Sequence, residues 1–442
     1  MNARTLPRRE VLGKVAAALP AWMPRLAFRP AGTPPRGDVL VSIFQRGGMD
    51  GLSAVIPYQE RRYFDLRPKI AFKAPAAGDA KTGLRLDDRF ALNPGLTSLK
   101  QVWDAGQLAV VHATGAPHGS RSHFDAMDYM ERGTPGEKRL TTGWLGRHLS
   151  ATARREDSPF RAVGFGAGLP QSLHGPVPAT SLRSIADFHL QGRTEDLGLL
   201  RQQLASLWCG GDWFADDARA TFEALDLLEQ ADPLRYAPEN GAAYPETDLG
   251  QALKQVAQLI KADVGLEVAC VDVGGWDTHV NQVWGNYDDP TRGMMFNLLR
   301  QLDDAIGAFW RDMGGRMVDP GVTLVTMSEF GRRVGQNAGN GTDHGQGSCM
   351  FVVSGAAVPA VHTAWPGLEA DQMADGEDLA ITRDYRDTLA EILVNRLGNP
   401  DLFAVFPNHQ ATFHGVVRAR ADAPVPVTRA PRIYLPMAMG GP

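Results

Sequence analysis

The sequence predicts an α/β protein in three layers, with a mainly parallel central sheet between helices. Three observations predict it. Five short apolar runs of strand length recur along the chain; they read as strands buried on both faces; and the segments between them carry apolar residues at helical spacing. The chain has 442 residues with a hydrophobic fraction of 43%, enough for one large core around one sheet.

The elements follow in order. Residues 1–36 read as a signal and linker: Arg8-Arg9 precede Glu10, Val11 and Leu12, then a modest apolar stretch. That pattern resembles a twin-arginine export signal, so the twin-arginine translocase is the expected partner and the periplasm or exterior the expected location. Lys14 and Pro20 interrupt the apolar stretch, which makes it a poor membrane span. DVLVSIF (38–44) is the first buried strand and ends in QRGGMDG. LAVVHATG (108–115) is the second. Ser122 then stands as an N-cap before the helical stretch HFDAMDYMER. Residues 150–260 change character and read as a helical insertion or cap, with DDARATFEALDLLEQ and TDLGQALKQVAQLIKAD as its long helices. EVACVDV (267–273) is the third strand, MFNLLRQLDDAIGAFWRDM (295–313) an amphipathic helix, VTLVTMS (322–328) the fourth strand and CMFVVSG (349–355) the fifth. DYRDTLAEILVNRLG (384–398) closes the main domain, 37–430, with a helix stopped at Gly398; 431–442 is a tail.

Composition excludes several function classes. A net charge of -5 with no Lys/Arg run argues against nucleic acid. Three scattered cysteines form neither a disulfide framework nor a zinc knuckle. GFGAG (164–168) lacks the dinucleotide fingerprint, and no G-x-S-x-G elbow occurs.

In open α/β sheets, sites form beyond the carboxyl ends of the strands. Asp50 follows the first strand; His112, His118, Ser120 and Ser122 follow the second; Asp277 and His279 the third; Glu329 the fourth; Asp343 and His344 precede the fifth. Gathered carboxylates repel unless protons or a cation neutralise them. Mixed with neutral imidazoles, they suit a divalent ion such as zinc, manganese or calcium, which polarises an ester oxygen and activates a hydroxyl or water. Ser122, at a helix start, lies where backbone N–H groups favour an anionic ester. Simpler roles compete: Asp277 and His279 as turn caps, Glu329 in an ion pair with Arg332, Arg333 or Arg386, Ser122 as a plain cap, and His112, His118 and His123 as structural histidines.

The ordered set FQRGGMDGL, PHGSRSHFDAMDYME, GGWDTH, TMSEFGRR, GTDHGQGS and ITRDYRDTLAEIL resembles domain-of-unknown-function family 1501, across essentially the whole chain. That family is similar to the alkaline phosphatase superfamily, which includes sulfatases and cofactor-independent phosphoglycerate mutases. The resemblance implies an alkaline-phosphatase-like three-layer sandwich and an exported, metal-dependent hydrolase of phosphate or sulfate esters. It implies metal ligands among Asp50, Asp277, His279, Glu329, Asp343 and His344, with Ser122 as nucleophile and Ser120 as its substitute. The superfamily's later Asp and His are spaced D-x-x-x-H; here the spacing is D-T-H, and Asn281 stands where that His would fall. By letter, Asp343-His344 matches the superfamily's Asp-His pair; by topology, Glu329-Phe330 takes that place and His344 is the final His. Two metals are therefore not implied. The alternative function is a catalytically inactive relative, exported for binding or assembly.

Overall fold

The computed structural model describes residues 38–152, 158–166, 168–185, 236–285, 287–319 and 321–427. The export signal, the DDARATFEALDLLEQ helix and the C-terminal tail lie outside the described residues.

The strands are β1 (Val39–Gln45), β2 (Val55–Ile56), β3 (Leu84–Arg85), β4 (Ala91–Leu92), β5 (Leu108–Gly115), β6 (Ala162–Phe165), β7 (Thr180–Leu182), β8 (Val268–Val273), β9 (Val322–Met327), β10 (Ser348–Ser354), β11 (Val361–His362) and β12 (Arg383–Asp384). Nine of them form the central sheet, in the order β11-β5-β10-β9-β1-β8-β6-β7, with β12 also on β5. The remaining three form a small antiparallel sheet in the order β2-β4-β3. Every pairing in the large sheet is parallel except those of β10, which runs against both β5 and β9.

The five strands read from the sequence are present within a residue or so of their expected bounds. Their alternation explains the three layers. Val39, Val41 and Ile43 of β1 join one buried cluster, together with Leu253 and Val256 of the helix Asp248–Lys261 and Leu299 and Ile306 of the helix Met294–Met313. Leu40 and Phe44 join the other, with Met130, Trp144 and Leu389 from helices on the opposite face. The helix Asp248–Lys261 therefore belongs to a main layer, and β6 and β7 extend the main sheet; the expected insertion at 150–260 does not hold for these parts.

One helix start is capped at long range. The helix Thr97–Asp104 has Leu96 at its N-cap, which offers no side-chain acceptor. Asp303 supplies it instead, accepting from the Ser98 and Leu99 amides at 2.8 and 2.7 Å. No described helix is long and apolar enough to cross a membrane.

Candidate metal centre

Because β10 is reversed, its first residue lies at the edge where its neighbours end: Ser348 is in register with Thr114, near the end of β5. The 328–347 segment between β9 and β10 thus leaves from and returns to one edge, carrying Glu329, Arg332, Asp343 and His344. The turn after β8 brings Asp277 and His279, and the helix His123–Arg132 begins at the same place. Close backbone approach is built in. Gly47, at φ +124°, passes so near the Trp276–Asp277 peptide that a Cβ would lie 2.4 Å from the Asp277 nitrogen. A Cβ at Gly341 would lie 2.3 Å from the His279 carbonyl oxygen.

Three imidazoles meet one carboxylate. The Asp277 Oδ1 is 3.2 Å from His279 Nε2, 3.3 Å from His344 Nε2 and 3.5 Å from His123 Nε2. Each ring is held from behind through its Nδ1. His123 Nδ1 lies 2.7 Å from Glu329 Oε1, His279 Nδ1 3.0 Å from Asp343 Oδ1, and His344 Nδ1 2.9 Å from the Arg121 carbonyl oxygen. All three partners are acceptors, so each ring donates from Nδ1 and turns its Nε2 inward, toward Asp277. The consequence is visible at all three Nε2 atoms. His279 and His344 oppose their Nε2 atoms at 2.9 Å, and His123 Nε2 is buried with no hydrogen-bond partner among the described residues. Phe330 packs against both the His123 and His344 rings, 4.8 and 4.7 Å from their centroids, and those two rings are themselves 4.4 Å apart.

The electrostatics match. Burial raises the Asp277 carboxyl, but hydrogen bonds from Arg332 and His344 and the Arg332 charge outweigh it and bring it to about 2. Asp343 lies below the ordinary carboxylate range, chiefly through its bond to His279. Burial, aided by the charge on Arg332, lowers His344, which keeps the ring neutral and able to act as a ligand.

The sequence-expected residues thus occupy different places. Asp277, His279 and His344 come together, despite the D-T-H spacing. Glu329 and Asp343 stand behind imidazoles, their oxygens accepting hydrogen bonds. Glu329 also accepts from the Gly47 amide and the Ser328 hydroxyl. Asp50 is fully buried and faces Arg67, whose guanidinium grips both carboxylate oxygens at 2.7 and 3.1 Å. Ser122 is the N-cap residue of its helix, but it is exposed and its side chain makes no capping bond. Ser120 accepts from the Ser122 amide within a local turn. His112 is buried between the Val55 carbonyl and the Ala113 amide, and burial lowers it to about 4, so it is structural.

His123 was read from the sequence as a structural histidine, yet it enters the cluster. The only available signal was its place next to Ser122 at a helix start; its anchor, Glu329, is far away in sequence. Arg67 carried no signal at all, and Arg332, read from the sequence as an ion-pair partner for Glu329, pairs with Asp277 instead.

Residues 38–386 match the family described as protein of unknown function (DUF1501). The chain belongs to that family. No curated protein matches this DUF1501 chain. Among solved structures it is similar to a protein in the alkaline phosphatase superfamily from Vibrio parahaemolyticus, at 10% identity over 81% of this chain and 71% of that one, with a TM-score of 0.32. It is also similar to the C-terminal periplasmic domain of EcEptC from Escherichia coli, in complex with Zn, at 11% identity over 76% and 78% of the two chains, with a TM-score of 0.33. The lipoteichoic acid synthase LtaP from Listeria monocytogenes gives 8% identity over 80% and 73%, with a TM-score of 0.34. The site in this DUF1501 protein is argued from its own side chains.

Proposed function

We propose that this protein is an exported, metal-dependent hydrolase of phosphate or sulfate esters. The observation that carries the metal is the convergence of three Nδ1-anchored imidazoles on Asp277. The donor set fits a divalent ion. Two Nε2 atoms 2.9 Å apart need a proton or a cation between them, and ligands at metal–nitrogen distances of about 2.0–2.1 Å stand about 3.3 Å apart in a tetrahedral shell. His123, Asp277 and His344, whose ligand atoms all lie within 4.8 Å of one another, would hold the ion, with His279 as a further ligand. Three nitrogens and one carboxylate suit zinc or manganese and disfavour calcium, which takes oxygen ligands. When bound, such an ion supplies Lewis-acid polarisation of a phosphoryl or sulfuryl oxygen.

The chain's own residues would do the rest. Glu329, Asp343 and the Arg121 carbonyl fix the ring tautomers. The first amides of the helix His123–Arg132 favour an anionic group at its N-terminus. Ser122, its hydroxyl free of a capping bond, is the candidate nucleophile, with Ser120 next to it in the turn and water as the alternative. Arg8-Arg9 supports export through the twin-arginine translocase.

Elemental analysis of purified protein tests the metal, and turnover of aryl phosphates and aryl sulfates tests the reaction, with Asp277→Ala and Ser122→Ala as controls. Metal-dependent turnover lost in Asp277→Ala is expected. Bound metal with no turnover across both ester classes would favour an inactive relative exported for binding or assembly.

A further inference from the structure

Arg67 is the best-satisfied charged group at this edge of the sheet. It is fully buried, and each of its five N–H donors has an acceptor. Nε donates to the Val334 carbonyl at 2.6 Å. One terminal nitrogen donates to Asp50 Oδ2 at 2.7 Å and to the Ser53 hydroxyl at 3.2 Å, and the other to Asp50 Oδ1 at 3.1 Å and the Arg333 carbonyl at 2.9 Å. The Ser53 hydroxyl donates in turn to Asp50 Oδ2 at 2.9 Å. Both Asp50 oxygens are thereby engaged in a fork-to-fork pair that is neutral as a unit.

The charge balance at the histidine cluster is different. Asp277, Glu329 and Asp343 are three carboxylates in contact with the imidazoles, and one buried guanidinium, Arg332, lies 2.7 Å from Asp277. Arg121 and Arg333 border the cluster, but each pairs with an acid of its own, Asp378 and Glu377.

We infer that this centre is mononuclear: Arg67 permanently occupies Asp50 in the way a second cation would, so Asp50 binds no metal and the site takes one divalent ion per chain. Arg332 has a related role as a positioning residue. It donates to the Gly48, Thr342, Gly47 and Trp276 carbonyl oxygens as well as to Asp277, so it ties three loops together and aims the one carboxylate that faces all three rings. The inference rests on the metal-centre reading above.

The test is a titration of metal-stripped full-length protein with manganese(II), following bound metal per chain and the electron paramagnetic resonance spectrum. One ion per chain with an isolated-ion spectrum is expected. A second measurement uses the double substitution Asp50→Leu with Arg67→Met, which removes the ion pair as a unit and is commonly tolerated where one-sided removal is not. It should leave one ion per chain with affinity within about threefold of the original, whereas His344→Ala should weaken binding by about 100-fold or more. Two ions per chain with a spin-coupled spectrum would overturn the inference while leaving the metal-centre reading intact. Loss of metal in a folded double variant would overturn it as well. No bound metal in the unsubstituted protein would overturn the metal-centre reading, and this inference with it.

Discussion

Two histidine–carboxylate clusters in this molecule use the same residue types to opposite ends. In the C-terminal segment, Asp387 of the helix Tyr385–Asn395 lies 2.8 Å from His409 Nε2 and 3.4 Å from His414 Nε2, and it accepts the Thr412 amide at 3.0 Å. There the carboxylate is the centre and the rings point at it as donors, so the cluster is a staple. Nearby Glu391 does the same for backbone, accepting from the amides of His414, Gly415 and Val417. At the sheet edge the carboxylates Glu329 and Asp343 stand outside the rings, accept from Nδ1 and leave Nε2 turned inward, with those of His279 and His344 facing each other. The difference teaches that which ring nitrogen is anchored, more than which residues are present, separates a structural clasp from a receptor for a cation.

The comparison breaks most visibly at Asp277. Asp277→Ala should lower metal affinity by about 1,000-fold in an equilibrium titration, because it removes the carboxylate that all three rings share. Unchanged affinity would make the sheet-edge cluster a staple like the other. A carboxylate without a cation partner gives the next largest effect. Burial raises the Asp303 carboxyl to about 6, against the pull of the Leu99 and Ser98 amides. Its folded value exceeds its unfolded one, so the folded state holds the extra proton between them. Its contribution to stability is therefore full below about pH 4 and lost as pH rises through about 6, a change of about 3 kcal/mol. Denaturant unfolding across that window should show the decline, and Asp303→Asn should flatten it.

Glu329→Gln sharpens the comparison, since the amide no longer fixes the His123 tautomer as a carboxylate does. Metal affinity should fall by about 10- to 100-fold with little change in melting temperature. The smallest effect belongs to the staple. Asp387→Ala should cost about 1–2 kcal/mol in chemical denaturation and leave metal affinity unaltered. A loss of metal in that variant would mean that the two clusters are not independent.

The sequence made the sheet legible because its strands are buried on both faces, and long apolar runs such as VTLVTMS have few other uses. The reversed direction of β10 was not legible, since strand direction leaves no mark on composition. Asp277 and His279 were legible as residues just past a strand end, whereas His344, which precedes β10, reaches the same edge because that strand is reversed. The positions of Glu329 and Asp343 behind the rings did not, because carboxylates that touch a metal and carboxylates that touch a ligand's far nitrogen are the same letters. His123 was underweighted because its anchor is 206 positions away, and Arg67 because a buried guanidinium looks like any surface arginine until the fold closes over it.

The reversed strand of the large sheet has an evolutionary consequence. Because β10 runs backwards, the peptide between it and β9 starts and finishes on one rim, like a handle fixed at both ends. Relatives can lengthen, shorten or redecorate that handle and so reshape the mouth, while the floor beneath, fixed by sheet register, need not move.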